Sequence, residues 1–543
     1  MKIKKNLLFI CLFALILLFT ATSSARVTPT YAIVNCKIIP VTGSPIEKGI
    51  IIIRDGLIES LGPQGKISIP EDAEIIKAEG LFAYPGLIDA HTNLFLELPK
   101  QEPRTPGTRR TSTAGPRQKE KAQHPDLMAV KLLKSKKTDV AGLHRVGITT
   151  VLVVPERGIY AGQSVLLNVN GVKAEPMVIK TPVALHVNFT TASGTYPSSL
   201  MGTMAFLRQS FLDTEHYSSH KSQFSKSSRG LKRPEYNPFL EALAPYVVEK
   251  SPVFFNCANL EDIKRALGLI KEFKLNGFLT GANEAWRVAD LLIKNAKVPL
   301  LVSLNFKPPK TSIYVHQGEE LKKKAEEEIY PANAANLHKK KLTFALTSQG
   351  LKKPSDIPKN VQKAVKAGLP KEEALKAMTI IPAKFLGVSS FLGSLEPGKI
   401  ANIILTSGEI FDEKTRVERV FVDGIAFEIK KPAKGEKPTK VNIAGKWSAT
   451  VSSPMGELET ILEIEQDGNE ISGSISSNMG KWEIREGILS GNELALSISA
   501  TIMGETMDLA FSGTAEKDSI EGTIAVQEWS MELKAKRIPD GEF

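Results

Sequence analysis

The sequence predicts an α/β protein: a (β/α)8 TIM-like barrel with a flanking β-sandwich, followed by a C-terminal all-β, barrel-like domain. Three observations carry that expectation. Between residues 82 and 387, short apolar runs alternate with helical stretches, as parallel strands joined by crossover helices do. Residues 26–81 and 388–429, on either side, hold short β-branched runs broken by turn residues. Beyond residue 441 one strand-like run follows another with no helical pattern between them.

The elements follow in chain order. Residues 1–25 read as a secretory signal: Lys2, Lys4 and Lys5 precede an apolar run at 7–19, and Ser23-Ser24-Ala25 offers a small-residue cleavage site. The run falls short of the ~20 residues a spanning helix needs, and bulky Ile10 argues against a lipid anchor at Cys11. The expectation is an exported, periplasmic or extracellular protein that begins near Arg26 and keeps no stable membrane anchor. Ile50-Ile51-Ile52-Ile53 followed by Arg54-Asp55-Gly56 predicts a β-hairpin. Barrel strands are expected at 82–90, 148–154, 183–189, 253–256, 277–280, 299–305 and 343–347, which leaves one of eight, the fourth, unplaced. A helix is expected over 260–273, where Asn259 can cap and Glu261 and Asp262 favour the first turn. Another spans 371–379. Residues 430–440, rich in Lys, Pro and Gly, predict a linker. In 441–543 the pattern of Ile471-Ser472-Gly473-Ser474-Ile475 recurs at 511–515 and 520–524, which predicts consecutive hairpins closing as a small barrel. Trp447, Trp482 and Trp529 are either core anchors or a ligand platform.

Charge divides the chain. Residues 441–543 contain 7 Lys+Arg against 18 Asp+Glu, a net of −11; since the whole chain carries +11, residues 1–440 carry +22. Basic residues concentrate in 100–121 and 221–233, both rich in Ser, Thr, Pro and Gly. Solvated loops explain these runs better than nucleic-acid binding, because export removes nucleic acid and no aromatic residues interleave the first run. Outside the signal segment only Cys36 and Cys257 remain, too few and too far apart for a disulfide framework.

The segment Ala83-Tyr84-Pro85-Gly86-Leu87-Ile88-Asp89-Ala90-His91-Thr92-Asn93 resembles the signature of the amidohydrolase superfamily, with Asn93 in place of the second histidine of a His-x-His pair. The run from Gly393 to Leu405 and Val420-Phe421-Val422-Asp423-Gly424 resembles the returning half of that superfamily's sandwich, with Ile400 and Asn402 where Asp is usual. The resemblance spans about residues 30–428. It implies metal-dependent hydrolysis of carbon–nitrogen bonds in amides or cyclic amides. It also implies ligands for zinc or another divalent ion: two His on the first strand, Lys or Glu on the fourth, one His each on the fifth and sixth, and Asp on the eighth. Such a metal lowers the pKa of bound water towards 7. Here His91 alone matches. The fifth and sixth strands end without His, and Ser348 stands where the eighth strand has Asp. The eight histidines, at 91, 124, 144, 186, 216, 220, 316 and 338, leave none between residues 251 and 310. His216 and His220 share one helical face, but Glu215 precedes His216, so the metalloprotease pattern is absent. The expectation is that His91 is vestigial, that no metal cofactor is held, and that the protein is a divergent, catalytically inactive member. An active hydrolase with a non-standard metal site is the alternative.

Carboxamides gather instead at the strand ends: Asn93, Asn188, Asn256, Asn283 and Asn305, with Ser348. Barrels of this type bind ligands there. A ring of neutral groups offering donors and acceptors suits a neutral polar ligand such as a sugar or peptide amide. The competing explanation is that Asn simply favours turns after strands.

Overall fold

The computed structural model describes residues 29–96, 123–134, 137–171, 173–192, 196–295, 298–309, 312–351, 353–429 and 441–538, the last without 454–455, 468, 478–479, 503–504 and 527–528. The expected signal segment, the basic run at 100–121 and the expected linker lie outside these residues. The chain divides into two compact units, Met1–Ile429 and Lys430–Phe543.

The first unit contains a composite eight-stranded sheet. Ile425–Glu428, Val417–Val422 and Ile403–Thr406 continue through Phe82–Pro85 to Tyr31–Ile38, Ile46–Arg54 and Leu57–Pro63, with Glu74–Lys77 also paired to Tyr31–Ile38. Ile51 and Ile53 face one apolar cluster and Ile50 and Ile52 another, so both faces of this strand are covered. That explains an unbroken isoleucine run in place of alternation. Asp55 and Gly56, both at positive φ, form the tight turn that follows.

The segment expected as one strand over 82–90 is two. Phe82–Pro85 belongs to the composite sheet and Leu87–Thr92 to the barrel. Gly86 makes the switch between them, where an added Cβ would lie 2.0 Å from Thr149 Oγ1. The barrel strands Leu87–Thr92, Ile148–Val153, Leu185–Asn188, Val253–Cys257, Gly277–Gly281, Leu300–Ser303 and Phe344–Thr347 all run the same way. Leu185–Asn188 is the fourth strand, so the missing position is the third and not the fourth as expected, and it is antiparallel. Tyr160–Gln163 pairs with the fourth strand and Val165–Asn168 with the second. No crossover helix precedes an antiparallel strand, so the alternation of strand and helix gave no signal for it.

Ile88, Ala90, Leu152, Leu166, Phe254, Phe278, Leu301 and Ala345 pack together with Ala383, Leu386, Val388 and Leu392. This apolar cluster packs inside the barrel, and His91, Asn256 and Thr280 lie near the carboxyl ends of their strands. Leu260–Phe273 forms the expected helix, and Asn259 accepts from Asp262 N as its cap.

The second unit is a closed antiparallel barrel of eight consecutive strands, from Gly445–Ser453 to Trp529–Arg537. Gly513 and Gly522 face each other across two strands, where a Cβ on either would meet the Phe511 ring at 2.7 or 2.6 Å. The recurring glycine thus makes room for a core aromatic. Trp447 is fully buried, donates to Ile443 O at 2.9 Å and lies 4.4 Å beneath the Arg537 guanidinium. It is a core anchor, and Trp482 packs against the same cluster. The Trp529 side chain lies outside the described residues.

Candidate functional site at the barrel mouth

His91 sits near the end of the first barrel strand, 3% exposed. Val154 N donates to Thr92 O at 2.8 Å, which holds the first two strand ends together. Pro155, which lacks an N–H, follows shortly after the second strand ends at Val153. Asn188 fastens the residues after it by donating its NH2 to Glu156 O at 3.0 Å and Gly158 O at 2.8 Å. The Glu156 carboxylate is thereby placed with Oε1 3.5 Å from His91 Nε2, an ion-pair distance without a formed hydrogen bond. Its Oε2 accepts from Asn93 Nδ2 at 3.0 Å. The neighbouring His91 holds the Glu156 carboxyl below the usual carboxylate range, against the opposing effect of burial.

A chain of hydrogen bonds starts from the other side of the imidazole. His91 Nδ1 lies 3.4 Å from Thr280 Oγ1, Thr280 donates to Gln349 Oε1 at 2.6 Å, and Gln349 Nε2 donates to Asn256 Oδ1 at 2.9 Å. Thr280 has one proton and gives it to Gln349, so it can only accept from His91, which requires a proton on His91 Nδ1. His91, Asn256, Thr280 and Gln349 come from the ends of the first, fifth, sixth and eighth strands. Those are four of the five strands from which the superfamily resemblance draws metal ligands. His186, on the fourth strand and 3% exposed, meets the His91 ring edge-on at 6.1 Å between centroids. Its Nε2 has no partner, and burial pushes its pKa well below the ordinary histidine value, which makes the ring neutral.

The predicted residues divide in the structure. Asn93, Asn188 and Asn256 join the constellation around His91. Asn283 and Asn305 interact at the next two strand ends, Asn283 Nδ2 donating to Asn305 O at 3.1 Å and Asn305 Nδ2 to Gly350 O at 3.1 Å. Ser348 turns away: its hydroxyl and N–H both bind Asp89, closing the seam between the eighth and first strands. Burial raises the pKa of Asp89. The eighth-strand side chain in the network is Gln349, one residue beyond Ser348; in the sequence the two positions differ by a single-residue offset. Glu156, Thr280 and His186 also escaped the sequence reading. A carboxylate directly after the proline that follows the second strand was the available signal for Glu156. His216 and His220 lie 6.3 Å apart on the helix Leu200–Lys226, His216 exposed and away from this constellation. Among the described residues, no three His, Cys, Asp or Glu side chains converge as a metal site requires.

The barrel's first strand issues from the composite sheet, and the chain returns to that sheet after the last barrel strand. Residues 257–447 match the family model described as amidohydrolase family. An amidohydrolase from Thermotoga maritima MSB8 overlies 73% of this chain and all of its own, with a TM-score of 0.61 and 24% identity. A 5-methylthioadenosine/S-adenosylhomocysteine deaminase from Moorella thermoacetica is 37% identical over 65 residues, 12% of this chain and 15% of that protein. The match therefore spans only a small part of that curated relative. Residues 257–447 thus match the amidohydrolase family, and the likeness to the solved amidohydrolase shows a shared fold.

Proposed function

We propose that this is an exported, divergent amidohydrolase-superfamily protein whose barrel mouth binds a small polar ligand and holds no catalytic metal. The observation that carries the reading is the hydrogen-bond chain from His91 through Thr280 and Gln349 to Asn256. A metal would need lone pairs free and converging. Here the carboxamide oxygens of Gln349 and Asn256 already accept protons from within the chain, and the set contains one imidazole. Zinc sites need three or four strong donors, and a neutral amide or hydroxyl oxygen is a weak one. The residues do not fit the ion that the superfamily implies.

The alternative is a hydrolase for carbon–nitrogen bonds with a non-standard site. It is favoured by the superfamily itself and by the name of the deaminase that matches a short segment. Incubating the full mature chain with a panel of amides, cyclic amides and aminopurines, with and without added zinc or manganese, separates the two. The binding reading expects no turnover above the metal-only blank under any condition. Turnover abolished by His91→Ala would reject it in favour of the hydrolase.

A further inference from the structure

The direction in which each mouth carboxamide points narrows the ligand, an inference that rests on the binding reading above. Asn93 gives its NH2 to Glu156, Asn188 to two backbone carbonyls and Asn283 to Asn305 O. All three partners are pure acceptors, so the amide orientations are fixed by chemistry. What remains for a visitor is oxygen. Asn283 Oδ1 is buried with no partner, and no described residue donates to Asn93 Oδ1 or Asn188 Oδ1. Beside Asn93 and Asn188 stands the Glu156 carboxylate, 41% exposed. Asn256 is different, since its oxygen is engaged and its NH2 is left. Two imidazole nitrogens, His91 Nε2 and His186 Nε2, on rings 6.1 Å apart, are buried without a hydrogen bond, the first facing Glu156 Oε1 at 3.5 Å. A buried polar atom without a partner costs roughly 1–3 kcal/mol, so an occupant that satisfies such atoms is favoured.

We infer that the mouth takes an organic cation bearing several N–H donors, a guanidinium or primary ammonium, seated on Glu156 with the oxygens of Asn93 and Asn188 around it. The sequence alone suggested a neutral ligand met by donors and acceptors alike. The structure engages most of those donors internally and leaves an acceptor-rich, anionic rim. Arg157, exposed next to Glu156, is the nearest opposing charge in sequence.

The test is calorimetric titration of the full mature chain with agmatine, choline and trehalose. Agmatine is expected to bind and choline, which has no N–H, to bind at least about tenfold more weakly, since a charge without donors leaves the oxygens unpaired. Glu156→Gln should weaken agmatine by about tenfold or more and leave the unfolding midpoint in place, because the side chain is partly exposed. Asn188→Ala should weaken it as well. Trehalose binding that Asn188→Ala reduces and Glu156→Gln does not would overturn the cation while sparing the binding reading. Agmatine binding equally to wild type and Glu156→Gln, or not at all, overturns the inference. Turnover in the hydrolase panel would instead bring down the reading on which it rests.

Discussion

Two clusters of the same side chains in the first unit behave in opposite ways. Where the barrel meets the composite sheet, Thr150 and Asn402 both donate to Asn168 Oδ1, Asn168 and Asn170 donate to Asp423, and Asn402 Oδ1 accepts from Asp423 N. Both oxygen and NH2 of Asn168 and Asn402 are engaged, in a buried cluster that joins the second and third barrel strands to the turn at Asp423 and Gly424. At the mouth, the carboxamides of Asn93, Asn188 and Asn283 are anchored by the NH2 and left open at the oxygen. Composition does not separate a structural amide from a recognition amide; satisfaction does. A saturated cluster contributes to the fold, whereas one with open acceptors is incomplete until something arrives.

Mutations can break this comparison. Asn168→Ala removes a fully buried hub, taking away the acceptor of the Thr150 hydroxyl and the donor to an Asp423 oxygen. A loss of about 3 kcal/mol in urea unfolding of the first unit is expected, from the cost of several unpaired buried polar groups. A loss below about 1 kcal/mol there would mean that the cluster is solvated and structurally unimportant.

The next effect is pH dependence. His144 and His186 are buried, and burial lowers the pKa of each below the ordinary value of about 6.5. Above that value both folded and unfolded states hold these rings neutral and the stability is fully present. As pH falls through it, the unfolded chain takes protons that the folded chain refuses, so stability declines with a slope approaching about 1.4 kcal/mol per pH unit for each histidine. The loss stops once the folded values are passed. Unfolding midpoints between pH 8 and 5 should therefore drop, and His144→Phe should flatten the drop. An unchanged slope in that variant would remove His144 from the account.

The smallest effect belongs to the mouth. Asn93 is exposed, and Asn93→Ala should change stability by less than about 0.5 kcal/mol while weakening whatever ligand the site takes. A cost as large as that of Asn168→Ala would erase the distinction between the two clusters.

Much of this was legible in the sequence for reasons the structure makes plain. Parallel strands and helices repeat with a period that hydrophobicity reveals, and the glycine-marked hairpins of the second unit announce themselves through local turn chemistry. The third barrel strand did not, because an antiparallel segment with no crossover helix breaks the repeat. At the site, His91 and the asparagines stood out by type. Gln349 and Thr280 did not, since neither residue type is a usual metal ligand, and their role exists only as links in a chain closed across three strands. Asn402 was visible as a departure from the superfamily's usual Asp, but its partners Asn168 and Asp423, 234 and 21 residues away, could be found only in three dimensions.

Whether neutral side chains bonded to one another stand where metal ligands would be is decided by elemental analysis of the mature protein purified from zinc-containing medium and dialysed without chelator. Well under one equivalent of transition metal per chain is expected, with an unfolding midpoint unmoved by chelator. One full equivalent of zinc, lost in His91→Ala, would contradict the account.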